Sequence, residues 1–157
     1  MLRYSSLGSG SEGNALLVEA TADDGSRTRV LLDCGFGLRE ALRRLAERGV
    51  EAESLDAILV THEHNDHAGG VARLARKFDI PIHCSHGTYM AISRMSECES
   101  ERFRVVCSHT AYTIGVLMVQ PFPVPHDARE PTQFVFESGA MRLGVLTDVG
   151  AGTPRIV

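Results

Sequence analysis

The sequence predicts a single domain of the mixed α/β (α+β) class. Strand-like and helix-like segments alternate along the first part of the chain, whereas the segments after residue 103 are almost all strand-like. The 157 residues suffice for one hydrophobic core and require no internal boundary. Apolar residues make up 43% and charged residues 23% of the chain, values that are typical of globular proteins and exclude a disordered one.

The first part of the chain begins with a predicted hairpin. Short strands are expected at residues 2–7 and 15–19, on either side of the glycine- and serine-rich segment 8–14. A buried strand is expected at residues 29–33, and the apolar positions of residues 38–46 recur at the spacing of a helix with one buried face.

The next predicted strand leads directly into a group of histidines and acids. The apolar run 57–60 predicts a buried strand, and residues 71–78 show the apolar period of a helix. Between them lies the segment 62–67, with the sequence HEHNDH, which is therefore expected in a loop at the carboxyl end of the strand. A short strand at residues 80–84 and a helix at about residues 88–95 continue the alternation.

The second half of the chain is expected to be mostly β structure. Strand-like runs occur at residues 104–107, 114–120, 133–137 and 142–146, and they are separated by glycine, proline and serine residues.

Composition places few limits on the partners of the protein. The net charge of −4 gives no overall attraction to nucleic acid or to an anionic membrane surface. No apolar run approaches the ~20 residues that a membrane-spanning helix needs. The cysteines at positions 34, 84, 98 and 107 show no CxxC spacing, which predicts reduced thiols in a cytoplasmic protein.

Four side chains of metal-ligand type are crowded into the segment 62–67. His62, His64, Asp66 and His67 offer the nitrogen and oxygen donors that zinc and neighbouring divalent metals prefer. In an extended loop His62 and His64 point the same way, whereas the other two lie beyond a bend, so one loop could serve two adjacent metal ions. A helical metalloprotease site would need two histidines four residues apart, which this segment lacks. A histidine-rich surface loop without metal is the remaining alternative.

Two further residues are candidate ligands, because four donors cannot complete two metal shells. His126 follows an apolar strand segment, and Asp148 follows another predicted strand. Considered alone, residues of these types are more often a core histidine and an ordinary turn acid.

Other polar residues have simpler interpretations. His83, His86 and His109 are expected to be packing or surface residues. Arg129 could contact a phosphate group or be a plain surface charge, and the segment 8–14 could offer amides to a phosphate or be only a tight turn.

The segment 61–70, with the sequence THEHNDHAGG, resembles the HxHxDH signature of the metallo-β-lactamase superfamily. Residues 6–14, 31–35 and 122–128 further resemble the YycJ (WalJ) group of bacterial metallohydrolases, so the resemblance covers essentially the whole chain. It implies a metallo-β-lactamase αββα sandwich.

The family pattern has one missing piece in this chain. The family places a final histidine well downstream of its bridging aspartate, but no histidine follows His126. The resemblance therefore implies that residues 1–157 are about the amino-terminal two-thirds of the sandwich, and that the C-terminal part of its second half is missing.

The resemblance also implies a two-metal site. The implied ligands of one ion are His62, His64 and His126. The implied ligands of the other ion are Asp66 and His67, and Asp148 would bridge the two ions.

Individual positions refine what the resemblance implies. Asp66 is the expected catalytic carboxylate, because it could hold the nucleophilic water. Asp33 is expected to support the ligand loop from outside the metal shells. Aspartate at position 148 is typical of phosphodiesterase and thioesterase members, whereas the most familiar lactam-cleaving subclass carries cysteine there. A glutamate at position 64 would have indicated the flavodiiron branch, so His64 favours hydrolysis over redox chemistry.

Proteins of the YycJ group are associated with nuclease activity on DNA. The resemblance thus implies a dinuclear metal-dependent hydrolase, a phosphodiesterase or DNA exonuclease that uses two zinc or manganese ions and a metal-bridging hydroxide. Zinc and manganese are not distinguished, because histidine and aspartate bind both. Two alternatives stay open, a thioesterase of the glyoxalase II type and a non-catalytic metal-binding fragment.

Overall fold

The computed structural model of the chain describes residues 1–95 and 99–152. Ten strands and four α-helices follow one another in these residues. The strands are β1 (Leu2–Gly8), β2 (Ala15–Thr21), β3 (Arg27–Leu32), β4 (Ala57–Leu59), β5 (Ile82–Cys84), β6 (Phe103–Val105), β7 (Tyr112–Ile114), β8 (Leu117–Pro123), β9 (Thr132–Ser138) and β10 (Met141–Val145). The helices are α1 (Leu38–Ala46), α2 (Asn65–Ala68), α3 (Val71–Phe78) and α4 (His86–Met95).

The strands form two sheets. The first sheet has six strands in the order β1-β2-β3-β4-β5-β6, and the second has four in the order β10-β9-β8-β7. Strands β1, β2 and β3 pair antiparallel, whereas β3, β4, β5 and β6 pair parallel. Parallel neighbours need a crossover connection, and here each crossover contains at least one helix. The second sheet is antiparallel throughout.

Two apolar clusters hold these elements together on opposite faces of the first sheet. Because side chains alternate along a strand, Leu31 points toward the helices, where it shares a cluster with Leu45 of α1 and Leu74 of α3. Its neighbour Val30 points the other way and joins a cluster with Phe134 of the second sheet. The result is three layers, helices, sheet and sheet, which are the first three layers of the expected αββα sandwich.

Most of the predicted elements are confirmed within a residue or two at each end. The predicted strand at residues 114–120 is wrong, because β7 ends at Ile114, β8 begins at Leu117, and these two residues pair across a tight turn. Gly115 occupies this turn with a φ of +52°, a conformation that glycine adopts without steric cost. Cys98 lies outside the described residues.

No helix in the described part of the chain is both long enough and apolar enough to cross a membrane.

Candidate metal centre

The predicted site residues lie where several strands end at one edge of the sandwich. The parallel strands β3 and β4 place Asp33 and the segment 60–64 side by side, and Asp33 N–H donates to Leu59 O at 2.8 Å. Strands β8 and β10 of the second sheet precede His126 and Asp148. The site is therefore assembled from both sheets.

The segment 62–67 forms a loop followed by a separate short helix. His62 and Glu63 belong to the loop, His64 caps α2, and Asp66 and His67 lie within α2. The last two residues, which the sequence placed beyond a bend in the loop, lie in this four-residue helix before α3. Asp66 and His67 belong to a different group of donor atoms from His62 and His64.

The structure brings all six predicted ligands together in two groups. Within each group the donor atoms lie within 4.8 Å of one another. The first group contains His62, His64, His126 and Asp148, and the second contains Asp66, His67 and Asp148.

Asp148 belongs to both groups, one carboxylate oxygen facing each. Its Oδ2 lies 3.9 Å from His62 Nε2 and 3.7 Å from His126 Nε2. Its Oδ1 lies 3.6 Å from His67 Nε2, which in turn lies 3.4 Å from Asp66 Oδ2. A single carboxylate thus connects the two donor groups.

Hydrogen bonds outside the site fix the orientation of each histidine ring. Thr61 Oγ1 donates to Asp33 Oδ2 at 2.8 Å, so it accepts from Nδ1 of His62 at 2.9 Å and leaves Nε2 of that ring without a proton. His67 Nδ1 donates to Asp33 Oδ2 at 2.8 Å, which also leaves its Nε2 free to act as a donor atom for a metal.

The two remaining rings, of His64 and His126, lie against Asp127. His64 Nε2 donates to the carbonyl oxygen of Asp127 at 3.2 Å, and His126 Nδ1 lies 3.1 Å from a carboxylate oxygen of Asp127. The opposite nitrogens, His64 Nδ1 and His126 Nε2, then face each other at 3.3 Å. Two unprotonated nitrogens at this distance repel each other unless a cation or a proton lies between them.

The donor atoms fit a divalent metal. His62 is fully buried, and its Nε2 has no hydrogen-bond partner among the described residues. A buried polar atom without a partner carries a cost that a metal ion would remove. Burial, together with the neighbouring histidines, lowers the pKa of His62 to about 4, so the ring is neutral near pH 7, as a metal ligand must be.

Asp33 forms hydrogen bonds with both ends of the ligand segment. It is buried and adopts a φ of +59°, and its Oδ1 accepts from Thr61 N–H at 2.8 Å while Oδ2 accepts from Thr61 Oγ1 and from His67. Burial opposes the charged form of His67, but the hydrogen bond and charge of Asp33, with the charges of Asp66 and Asp148, outweigh it and raise the pKa of that histidine.

The loop that carries His126 is attached to the segment 61–64 at several points. Thr132 N–H donates to Thr61 O at 2.9 Å, and Arg129 N–H donates to Glu63 Oε1 at 3.0 Å. One backbone hydrogen bond and one bond to a side-chain carboxylate thus join the two loops.

Some residues of the site were not found from the sequence. Buried Gln133 accepts from Thr147 N–H at 3.1 Å and donates to Thr147 Oγ1 at 2.8 Å, which holds the residue next to Asp148. Asn14 donates to Asp66 Oδ2 at 3.1 Å. Both residues are far from the ligand segment in sequence, and an isolated amide in a strand or turn gives no signal of such a role.

The remaining histidines lie outside the two groups, as predicted. His83 stacks on Tyr112 with ring centroids 5.4 Å apart, and His86 and His109 are exposed. The site itself is open to solvent on one side, because the side chains of Asp66 and Asp148 are 29% and 42% exposed.

Comparison with known proteins identifies the family. A family described as "Beta-lactamase superfamily domain" matches residues 28–157. The chain is 32% identical over 157 residues to Exodeoxyribonuclease WalJ of Streptococcus pneumoniae serotype 2 (strain D39 / NCTC 7466), a match that covers 98% of the chain and 56% of that protein. It is 33% identical to Exodeoxyribonuclease YycJ of Bacillus anthracis, covering 99% of the chain and 57% of that protein. The chain thus spans about half the length of these curated relatives.

Solved structures give the same fold. Rm3 metallo-beta-lactamase superposes with a TM-score of 0.69 at 19% identity, covering 89% of this chain and 56% of that one. Metallo-beta-lactamase SMB-1 bound to 2-mercaptoethanesulfonate gives a TM-score of 0.67 at 16% identity, covering 85% and 55%. At these identities the likeness concerns the fold alone. The domain match and the shared fold together show that the chain belongs to the beta-lactamase superfamily, with the metallo-β-lactamase fold.

Proposed function

We propose that this chain carries the metal centre of a dinuclear metal-dependent hydrolase that cleaves phosphodiester bonds in DNA as an exonuclease. The observation that carries the proposal is the convergence of six donor side chains, from one loop and two distant strand ends, into two groups that share Asp148. A metal ion would also give a partner to Nε2 of His62, a buried atom that has no hydrogen-bond partner among the described residues.

In this proposal each group holds one divalent cation. The three histidines of the first group, with Asp148, would bind one cation, and the acid and histidine of the second group, again with Asp148, would bind the other. Zinc and manganese both suit such a mixture of imidazole and carboxylate donors, and we propose one of these two metals.

The bound cations would lower the pKa of a shared water and act as Lewis acids toward the scissile phosphate. Asp66 is the proposed catalytic carboxylate, because it lies on the open side of the site with its side chain 29% exposed. From there it can accept a hydrogen bond from the attacking water and orient it for in-line attack. Asp33 keeps His67 Nδ1 protonated and its Nε2 directed into the site.

One observation supports DNA as the substrate, because the relatives that match nearly the whole chain bear the name exodeoxyribonuclease. The aspartate at position 148 favours a phosphodiester or a thioester over a lactam, because the most familiar lactam-cleaving subclass carries cysteine there. A Ribonuclease Z of Bradyrhizobium diazoefficiens is also 31% identical over 143 residues, so the substrate test includes RNA.

The test measures metal content and hydrolysis with the same protein. We expect two zinc or manganese ions per chain, hydrolysis of bis-p-nitrophenyl phosphate, and stepwise shortening of end-labelled DNA. Asp66→Ala should lower turnover by at least ~100-fold, the usual contribution of a positioned acid or base. Turnover within a few-fold of the parent would remove Asp66 from the mechanism.

Other outcomes would overturn the proposal in distinct ways. Cleavage of a glutathione thioester without cleavage of DNA would show a thioesterase. Two bound ions without hydrolysis of any of these substrates would show a metal-binding module.

A further inference from the structure

Asn14 connects the glycine-rich segment 8–14 to the second donor group. Its side-chain nitrogen Nδ2 lies 3.1 Å from Asp66 Oδ2 and 3.1 Å from His67 Nε2. These are two of the atoms proposed to bind the second cation. The first group has no such contact with this residue.

The backbone fixes where Asn14 stands relative to Asp66. Asn14 N–H donates to Asp66 O at 2.7 Å, and Gly35 N–H donates to Asn14 O at 3.1 Å. Gly35 packs so closely against Asp66 that a methyl group at position 35 would collide with the carbonyl oxygen of that residue. Asn14, Gly35 and Asp66 are therefore joined by direct backbone contacts.

The segment 8–14 also determines which way the amide of Asn14 faces. Asn14 Oδ1 accepts from Gly10 N–H at 2.9 Å, and Nδ2 donates to Gly10 O at 3.0 Å. With Oδ1 engaged by an N–H group, the amide must present its nitrogen, and not its oxygen, to the carboxylate of Asp66. The contact to Asp66 Oδ2 is therefore a donated hydrogen bond.

We propose that Asn14 is a positioning residue for the second cation, an inference that rests on the proposed function. Its N–H group fixes one oxygen of Asp66 and so holds the carboxylate in the orientation that the cation and the attacking water require. A carboxylate on a short, partly exposed helix would otherwise rotate, and ordering it would lower the affinity for the cation. The amide is suited to this role because it donates without adding charge next to the cation.

The inference predicts that the two cation sites respond differently to a change at position 14. Asn14→Leu keeps the branched shape of the side chain and removes the amide. It should weaken the second binding event by roughly 10- to 100-fold, the usual effect of losing a partner of a metal ligand, and leave the first unchanged. Asn14→Gln retains a donor and should recover part of the loss.

The experiment is a titration of the full chain with Mn²⁺, in which calorimetry records the binding events and electron paramagnetic resonance records the state of the bound ions. The parent should show two binding events and, when both are complete, a spin-coupled pair signal. Asn14→Leu should show one tight event and lose the pair signal at two ions per chain, whereas Ser11→Ala, in the same segment, should behave as the parent. Circular dichroism of the metal-free variants checks that they are folded.

The outcomes separate this inference from the proposed function. A parent that binds fewer than two ions overturns the two-metal function and this inference with it. A parent that binds two ions, with unchanged second-site affinity in Asn14→Leu, overturns only the role of Asn14. A parallel loss at both sites also overturns it, because the effect would then be a general one on the fold.

Discussion

At the scale of single residues, the site depends on glycines that let backbones approach closely. Gly35 follows β3 and packs on the carbonyl oxygen of Asp66, and Gly70 packs on the carbonyl oxygen of Phe36. Cys34 N–H donates to His67 O at 2.7 Å beside these contacts. Side chains at positions 35 or 70 would therefore displace the short helix that carries Asp66 and His67.

Gly35→Ala is predicted to damage both stability and metal binding. The added methyl group has no room, so we expect a loss of about 1–3 kcal/mol in the free energy of unfolding, as for other overpacked positions. Urea denaturation measures this, and a Zn²⁺ or Mn²⁺ titration should show weaker binding.

The matched control for that substitution is Gly37→Ala. A methyl group at Gly37 would meet nothing within 4 Å, so Gly37→Ala loses only the preference of a helix N-cap for glycine over alanine. Its loss of stability should be smaller than that of Gly35→Ala, and its metal affinity should equal that of the parent. Equal stability of the two variants would show that the close approach at Gly35 is not required.

At the scale of secondary structure, the sequence was most informative where one strong pattern decided the outcome. The apolar runs before Asp33 and His62 predicted buried strands, the period of residues 71–78 predicted a helix, and the structure has these elements. The metal-binding role of the segment 62–67 could be predicted because its donor side chains are crowded within six positions. That His126 and Asp148 approach this segment was implied by a family resemblance and not by their local sequence.

The sequence was least informative where the outcome depends on the pairing of distant strands. The apolar run 114–120 looks like one strand, and only the positive φ of Gly115 divides it. Pro121 and Pro123 suggested the end of a strand, yet β8 continues through them. The sheet tolerates both prolines because β7 pairs only with the first residues of β8. Beyond those residues this side of β8 has no neighbouring strand that needs an N–H donor.

Gly115→Ala is predicted to destabilise the hairpin of β7 and β8. Alanine in a left-handed conformation costs about 1–2 kcal/mol, and here the methyl group would also collide with Thr28 Oγ1, which accepts from Val116 N–H at 2.9 Å. Gly139→Ala is the control, since Gly139 has a similar φ of +59° and open space around it. Thermal unfolding should show the larger loss for Gly115→Ala; an equal loss would mean that the contact with Thr28 is unimportant.

At the scale of the whole molecule, we propose that residues 1–157 form one domain. The first sheet contributes to both apolar clusters, so neither the helices nor the second sheet can separate without exposing a buried face. The proposed metal ligands also come from both sheets. Metal binding and folding should therefore be linked.

Metal ions are predicted to raise the midpoint of thermal unfolding. At a free concentration about 100 times the dissociation constant, one ion that binds only the folded state adds about 2.7 kcal/mol, or roughly 5–10 °C for a chain of this size. Differential scanning fluorimetry with Zn²⁺ or Mn²⁺, and then with a chelator, measures the shift. His62→Ala should reduce it, whereas His86→Ala, outside both groups, should not; an equal shift in the two variants would contradict the proposed site.

Asp148, whose two oxygens face the two donor groups, follows Thr147, which is held to Gln133 of β9 by two hydrogen bonds. A displacement of this one carboxylate would withdraw a ligand from both cations at once. Exchange of either ion should consequently be sensitive to the mobility of residue 148, whereas displacement of His64 or Asp66 should affect one ion only.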